Sequence, residues 1–368
     1  VHHAHGEEQE ATGAACRVGL SHRLLAEIPV GRGPEAIAVD NEHRRAYVAC
    51  SRSNTLVAVD LVRCRTLWSA PVGREPIPVI LDRPTGRLFT ADARSDCVTV
   101  LDAASGERLA RIPVGSYPAG LGHHPELRRV YCGNTGDGTV TAIDADRLET
   151  VGTVPAELGA GSIAVDPDSG RGYCANFLAA SLTVFDTASL RPLDRIPVGE
   201  GPCKAVADRA TGRLYVAGSL HGRVTRLDLA TGRLLDDFAV QRAPVGLCTS
   251  SDGSHVYVCN RGAGTVSVVS GRTGEETHRI DVGRAPGDCA LDPATGRLLV
   301  SNAGSATLSI VDHPALPGPG QPALHPVVHP AVGHRLPPFA LPDARTGRVR
   351  TSREWAEKKY VINFFASW

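Results

Sequence analysis

Ten cysteines and fourteen histidines are the residues of this 368-residue chain best suited to nucleophilic, redox or metal chemistry, and their spacing limits what they can do. The cysteines stand at 16, 50, 64, 97, 132, 174, 203, 248, 259 and 289, with no C-x-x-C pair and no zinc-ligand spacing. Most fall in predicted strands, where a free cysteine acts as a small buried hydrophobe. Cys132 and Cys174 hold equivalent positions in successive repeats, so a disulfide between neighbours stays open, as does the redox compartment. Histidines gather near both ends, as His2, His3 and His5 and as His313, His325 and His329. A free amine on Val1-His2-His3 would suit Cu(II) or Ni(II), since imidazole favours those ions. The expected state is instead a solvated arm, and no metal or other cofactor is assigned. His123 and His124 are expected in a turn or at the surface.

Composition excludes several classes. With 39 basic and 39 acidic residues the formal net charge is zero, which lacks the basic footprint of a nucleic-acid binder. No apolar stretch reaches about 18 residues, so no transmembrane helix is expected. Val1–His5 lacks the apolar core of a secretory signal, and location is left undecided between the cytoplasm and the outside. The absence of Met beside an initial Val fits a literally translated GTG codon or a trimmed chain. Lysine occurs only at 204, 358 and 359, and with much Arg, Ala, Gly and Pro this suggests a GC-rich bacterial genome.

The elements that must position these groups come from one repeated stretch. It begins at Ile28, Ala70, Ile112, Val154, Ile196, Phe238 and Ile280, each 42 residues after the last. Each copy reads as four short strands, in the first Ala36–Asp40, Ala46–Ala49, Leu56–Asp60 and Thr66–Trp68, bounded by Gly, Pro, Asp and Asn. Seven such copies predict an all-β, seven-bladed β-propeller over residues 20–312. The seventh copy ends at Asp312 without a fourth strand. Residues 21–28 have fourth-strand character, so an N-terminal strand is predicted to close the last blade and remove an open sheet edge. Residues 1–19 are expected to be a His-containing arm.

Columns taken across the repeats explain most conspicuous side chains. Tyr47, Phe89, Tyr131, Tyr173, Tyr215, Tyr257 and Leu299 share one position and are expected to pack blade against blade. Asp60, Asp102, Asp144, Asp186, Asp228 and Asp312, with Ser270 in the sixth copy, end the third strand, where Asp bonds the turn backbone. The first strands should line a central channel. Two residues after the turn proline the column reads Ala36, Pro78, Gly120, Ser162, Lys204, Gly246 and Asp288. Small residues there leave an opening, and Lys204 and Asp288 supply the column's charges. That mouth is the candidate binding surface, for an unidentified protein or small molecule; no catalytic residue is assigned.

The I-P-V-G-x-x-P turn, the A-V-D strand end and runs such as Tyr257-Val258-Cys259-Asn260 and Tyr173-Cys174-Ala175-Asn176 resemble the YVTN family of seven-bladed propellers, in the group that includes surface-layer and lactonase-like proteins. The resemblance covers residues 28–312, and its fourth copy departs at Glu157 and Ala160. It implies architecture, with members mostly acting as binding or scaffold modules.

Residues 313–331 hold six prolines and read as a semi-rigid linker. From 332 to 368 the style changes. Pro338-Phe339-Ala340-Leu341-Pro342-Asp343 leads to Gly347, and after a stretch that reads as helical comes Tyr360–Trp368 with the ending Phe364-Phe365-Ala366-Ser367-Trp368. This resembles the opening of redoxins, the thioredoxin-fold thiol–disulfide oxidoreductases and peroxidases, in which C-x-x-C follows such a strand. The resemblance implies a truncated thioredoxin-like α/β fragment that stops one position before the first cysteine. Thiol–disulfide exchange needs a thiolate lowered at a helix N-terminus, so no redox activity is expected of this chain. A cut gene or a frameshift would explain the end. So would a UGA codon, which in a selenoprotein encodes selenocysteine at that place.

Two functions follow. One is a propeller that binds a partner or substrate for an attached redoxin, the full-length product being a thiol or selenol oxidoreductase or peroxidase. The other is a propeller enzyme, lactonase-like or metal-dependent, acting from the channel.

Overall fold

The computed structural model describes residues 23–312, together with the backbone of two short strands, Ala340–Pro342 and Val349–Thr351. Over residues 23–312 the repeat becomes seven four-stranded antiparallel sheets. Blade 1 runs Pro34–Asp40, Arg45–Cys50, Thr55–Asp60 and Arg65–Pro71, each strand paired to the next in sequence. These strands are longer than the apolar runs alone suggest, because the turn Pro and the end Arg and Asp residues join the ladders. Among residues 23–312 no helix occurs.

Burial follows from stacking. The two middle strands of each blade are covered on both faces by neighbouring blades, so Ala46, Tyr47, Val48, Ala49 and Cys50 are all buried although they are consecutive. The outermost strand has one covered side at most, and Arg65–Pro71 alternates toward solvent accordingly. The seventh blade consists of Pro286–Leu291, Leu298–Asn302 and Thr307–Asp312, and its fourth strand is Arg23–Pro29. That strand pairs from Arg23 opposite Asp312 to Pro29 opposite Thr307. Its Ile28 is buried with Ile37, Val48, Leu308 and Ile310, which ties the first blade to the last.

The tyrosine column fastens blades together. Tyr47, Tyr131 and Tyr173 donate their hydroxyls to the carbonyls of Ala103, Thr187 and Leu229 in the next blade, at 3.0, 2.7 and 2.5 Å. The aspartate column shapes turns: Asp60 Oδ1 accepts from the Val62 and Arg63 amides, and Asp102, Asp144 and Asp186 repeat this two and three residues on. The Asn ending the second strand is equally structural. Asn134, Asn176, Asn260 and Asn302 each donate to hydroxyls five and seven residues later, on the third strand. In blade 2 this place is taken by Asp92, a buried carboxyl that accepts from the Gly73 amide at 3.0 Å and from the Thr99 hydroxyl at 2.5 Å. A Cβ on Gly73 would lie 2.6 Å from the Asp92 Cβ, which accounts for the glycine of the I-P-V-G turn.

His123 and His124 end an inner strand, yet neither is a surface group. His124 is buried and accepts from the Leu127 amide, while His123 packs 3.6 Å from Asp82, inside the bidentate Arg128–Asp82 pair. Cys132 and Cys174 are both free and buried.

Contacts separate residues 1–320 from a small second unit, residues 321–368. What is described of the latter is a two-stranded hairpin, Ala340–Pro342 antiparallel to Val349–Thr351. The remainder of the expected thioredoxin-like fragment at 332–368 lies outside the described residues. So do the arm at 1–19, the 313–331 linker and the terminal histidines His2, His3, His5, His313, His325 and His329.

Candidate functional site

A backbone irregularity puts the channel residues in place. In every blade the ladder between first and second strands slips just after the turn, as between Pro202 and Lys204 or Pro286 and Asp288. A bulge re-aims the side chain that follows it, here toward the ring axis. Six of the seven predicted column residues, Ala36, Pro78, Gly120, Ser162, Lys204 and Asp288, therefore line one central cavity of about 240 Å³, with Ile37, Ile77, Val79 and Leu121 supplying apolar wall.

Lys204 and Asp288 are brought together: Nζ lies 3.0 Å from Oδ2. They belong to blades 5 and 7, so the lysine spans blade 6. It can do so because the residue between them in the column is Gly246, whose Cβ would lie 2.6 Å from the Asp288 Cα and 3.0 Å from Oδ1. The pair is deeply placed, with the Asp288 side chain 7% exposed. Burial pushes the Asp288 carboxyl up to about 6, outweighing the attraction of the Lys204 ammonium. Its second oxygen, Oδ1, has no hydrogen-bond partner among the described residues. At neutral pH the pair is ionic; below about pH 6 the carboxyl takes a proton and the lysine charge stands uncompensated.

A second ion pair repeats the arrangement. Arg261, in the turn after the second strand of blade 6, reaches over blade 7 and grips Glu35 of blade 1 through two bonds of 2.7 and 3.0 Å. Again the intervening blade offers glycine: Gly287 packs on the backbone of Pro34 and Glu35. Bidentate guanidinium–carboxylate pairing fixes both side chains in one plane. The mouth thus carries four charged groups rather than the two expected, summing to zero. Glu35 and Arg261 were legible by the same logic as Lys204. Glu35 is the charged exception in the column Ile77, Ala119, Gly161, Cys203, Val245 and Gly287, and Arg261 in the column Ser51, Ala93, Thr135, Phe177, Ser219 and Ala303.

Among the described residues no group of three or more His, Cys, Asp or Glu side chains stands in a metal-holding arrangement. What the mouth presents is polar recognition: two fixed cation–anion pairs and a small apolar wall.

A family model described as a YNCE-like β-propeller matches residues 18–211, more than half of the chain. No curated protein sequence matches. Many solved structures share the fold. One of them is the hydrazine synthase of Kuenenia stuttgartiensis, at a TM-score of 0.71 and 16% identity over 82% of this chain and 99% of that one. At that identity the likeness shows the propeller and nothing of its chemistry.

Proposed function

This chain belongs to the YNCE-like β-propeller family, and on that premise we propose that it is a binding module whose channel mouth recruits a partner or substrate for a redoxin domain of the same gene product. The observation that carries the binding half is the mouth itself, where Lys204–Asp288 and Glu35–Arg261 bracket a cavity of about 240 Å³. Placing ions there is costly unless they are paired, and an apolar wall would have sealed the channel at less cost. Binding sites are typically concave and mostly apolar with a few fixed polar groups. The redoxin half rests on the resemblance of residues 332–368. The YVTN-like motifs of residues 28–312 agree with a scaffold role, and the full-length product is then a thiol or selenol oxidoreductase or peroxidase.

The test separates recruitment from chemistry. Full-length gene product is assayed for reduction of a small aromatic disulfide and of a disulfide-bonded protein, as wild type and as Lys204→Ala. Recruitment at the mouth predicts a raised KM for the protein substrate, with the small disulfide turned over at the wild-type rate. Equal loss on both substrates, or no loss on either, overturns it. Residues 1–331 are tested beside it for bound metal and for lactone hydrolysis; activity there favours a propeller enzyme.

A further inference from the structure

Outside the channel, three thiols converge where blades 6 and 7 meet. Cys248 lies one residue before the end of the inner strand Pro244–Thr249, Cys289 lies in the inner strand Pro286–Leu291, and their sulfurs are 3.4 Å apart without being bonded. Cys259, on the second strand of blade 6, belongs to the same cluster, with its thiol interacting with Cys289. The two inner strands approach closely because Gly246 has no side chain to hold them apart. Exposure divides the pair. Cys289 is buried, but Cys248 is half-buried and lines a cleft of about 370 Å³ between the blades, along with Ser250, Asp252, Leu291 and Asp292.

From this geometry we infer that Cys248 and Cys289 form an oxidisable dithiol that reacts with a small hydroperoxide and closes into a disulfide joining blades 6 and 7. The step balances with the peroxide as oxidant. The Cys248 sulfur attacks one peroxide oxygen; the O–O bond breaks, the alcohol or water leaves with the thiol proton, and Cys248 becomes a sulfenic acid. The Cys289 sulfur then attacks the Cys248 sulfur. The S–O bond breaks, the Cys289 proton leaves with the hydroxyl as water, and the S–S bond forms. Two thiols lose two electrons together and the hydroperoxide gains them. A resolving thiol already in contact with the attacked one is what turns peroxide oxidation into a reversible disulfide instead of over-oxidation.

The setting favours thiolate character in the resolving thiol, Cys289, whereas contact with Cys289 and burial push the Cys248 thiol well above the ordinary range. Its contacts with the Cys248 and Cys259 thiols hold the Cys289 thiol below the ordinary range against the opposing effect of burial, and the Lys204 ammonium adds to this. Lone buried thiols behave otherwise: burial pushes Cys50 and Cys174 up to about 12.

The full chain is treated with hydrogen peroxide, the remaining thiols are blocked with N-ethylmaleimide, and tryptic peptides are sequenced by tandem mass spectrometry, because Cys248 and Cys259 share the peptide 243–261 and only its fragments show which of them is bridged and which is alkylated. The inference predicts loss of two hydrogens per chain, a cross-linked peptide joining 248 to 289, reversal by dithiothreitol and a melting temperature raised by several degrees in the oxidised form. Cys248→Ser should abolish the cross-link and Cys259→Ser should keep it. The wild-type map decides even if a variant fails to fold. Oxidation confined to the exposed Cys64, sulfinic acid at Cys248 without a cross-link, or a bridge from Cys259 in place of Cys248 would overturn it.

Discussion

Replacing Asp92 with asparagine should stabilise the ring at neutral pH, and the size of the gain can be worked out. Asp92 occupies the place where four other blades hold Asn134, Asn176, Asn260 or Asn302. It is fully buried, and burial pushes its carboxyl from 3.8 up to about 6, against the hydrogen bonds from Thr99, Gly73 and Cys97 and the nearby Arg111 charge. The folded state therefore holds a proton that the unfolded chain releases between these values. Stability falls as pH rises through that window and levels off above it. A shift of roughly two units corresponds to at most about 3 kcal/mol. The amide carries no charge, and with its oxygen in the place of Oδ2 it can accept from both the Gly73 amide and the Thr99 hydroxyl. Allowing for the lost attraction to Arg111, Asp92→Asn should gain about 1–2 kcal/mol at pH 7. About half of that gain should remain at pH 5. Urea unfolding of both proteins at the two pH values measures this. A destabilised variant at pH 7, or a gain that does not shrink on acidification, would refute the argument, since either means that burial does not raise the Asp92 carboxyl.

Three further outcomes follow from the same structure. Tyr131→Phe removes a buried 2.7 Å bond to the Thr187 carbonyl, but Arg129 still donates to that carbonyl at 2.8 Å, so chemical denaturation should show a loss of only about 1 kcal/mol. Blade 2 already uses this arrangement, with Phe89 in the column and Arg87 on the Ala145 carbonyl at 2.7 Å. Gly246→Ala places a methyl 2.6 Å from the Asp288 Cα and should cost about 1–3 kcal/mol by forcing the blades apart. It should also slow peroxide cross-linking of Cys248 to Cys289, read on the same peptide map. A chain starting at residue 30 lacks the strand that pairs with Thr307–Asp312 and the buried Ile28, and should melt well below the intact protein in calorimetry; equal melting temperatures would show that the ring does not depend on that strand.

The period of 42 residues was enough to give the number of blades and the place of each strand, because every repeat meets the same neighbours and so needs the same residues. The missing fourth strand after Asp312 and the spare strand before Ile28 likewise required one closure. Lys204 and Asp288 stood out because they share a column, 84 residues or two periods apart, but nothing in the sequence says that a glycine between them lets their side chains meet. Glu35 and Arg261 sit in different columns and are joined only by the closing of the ring. The thiols escape column reading altogether. Cys248 and Cys289 are 41 residues apart, one short of the period, so aligned repeats place Cys248 against Ala290 and Cys289 against Leu247. Stacking one blade on the next offsets neighbouring side chains by about a residue, and contacts made across that offset exist only once the chain has folded into its ring.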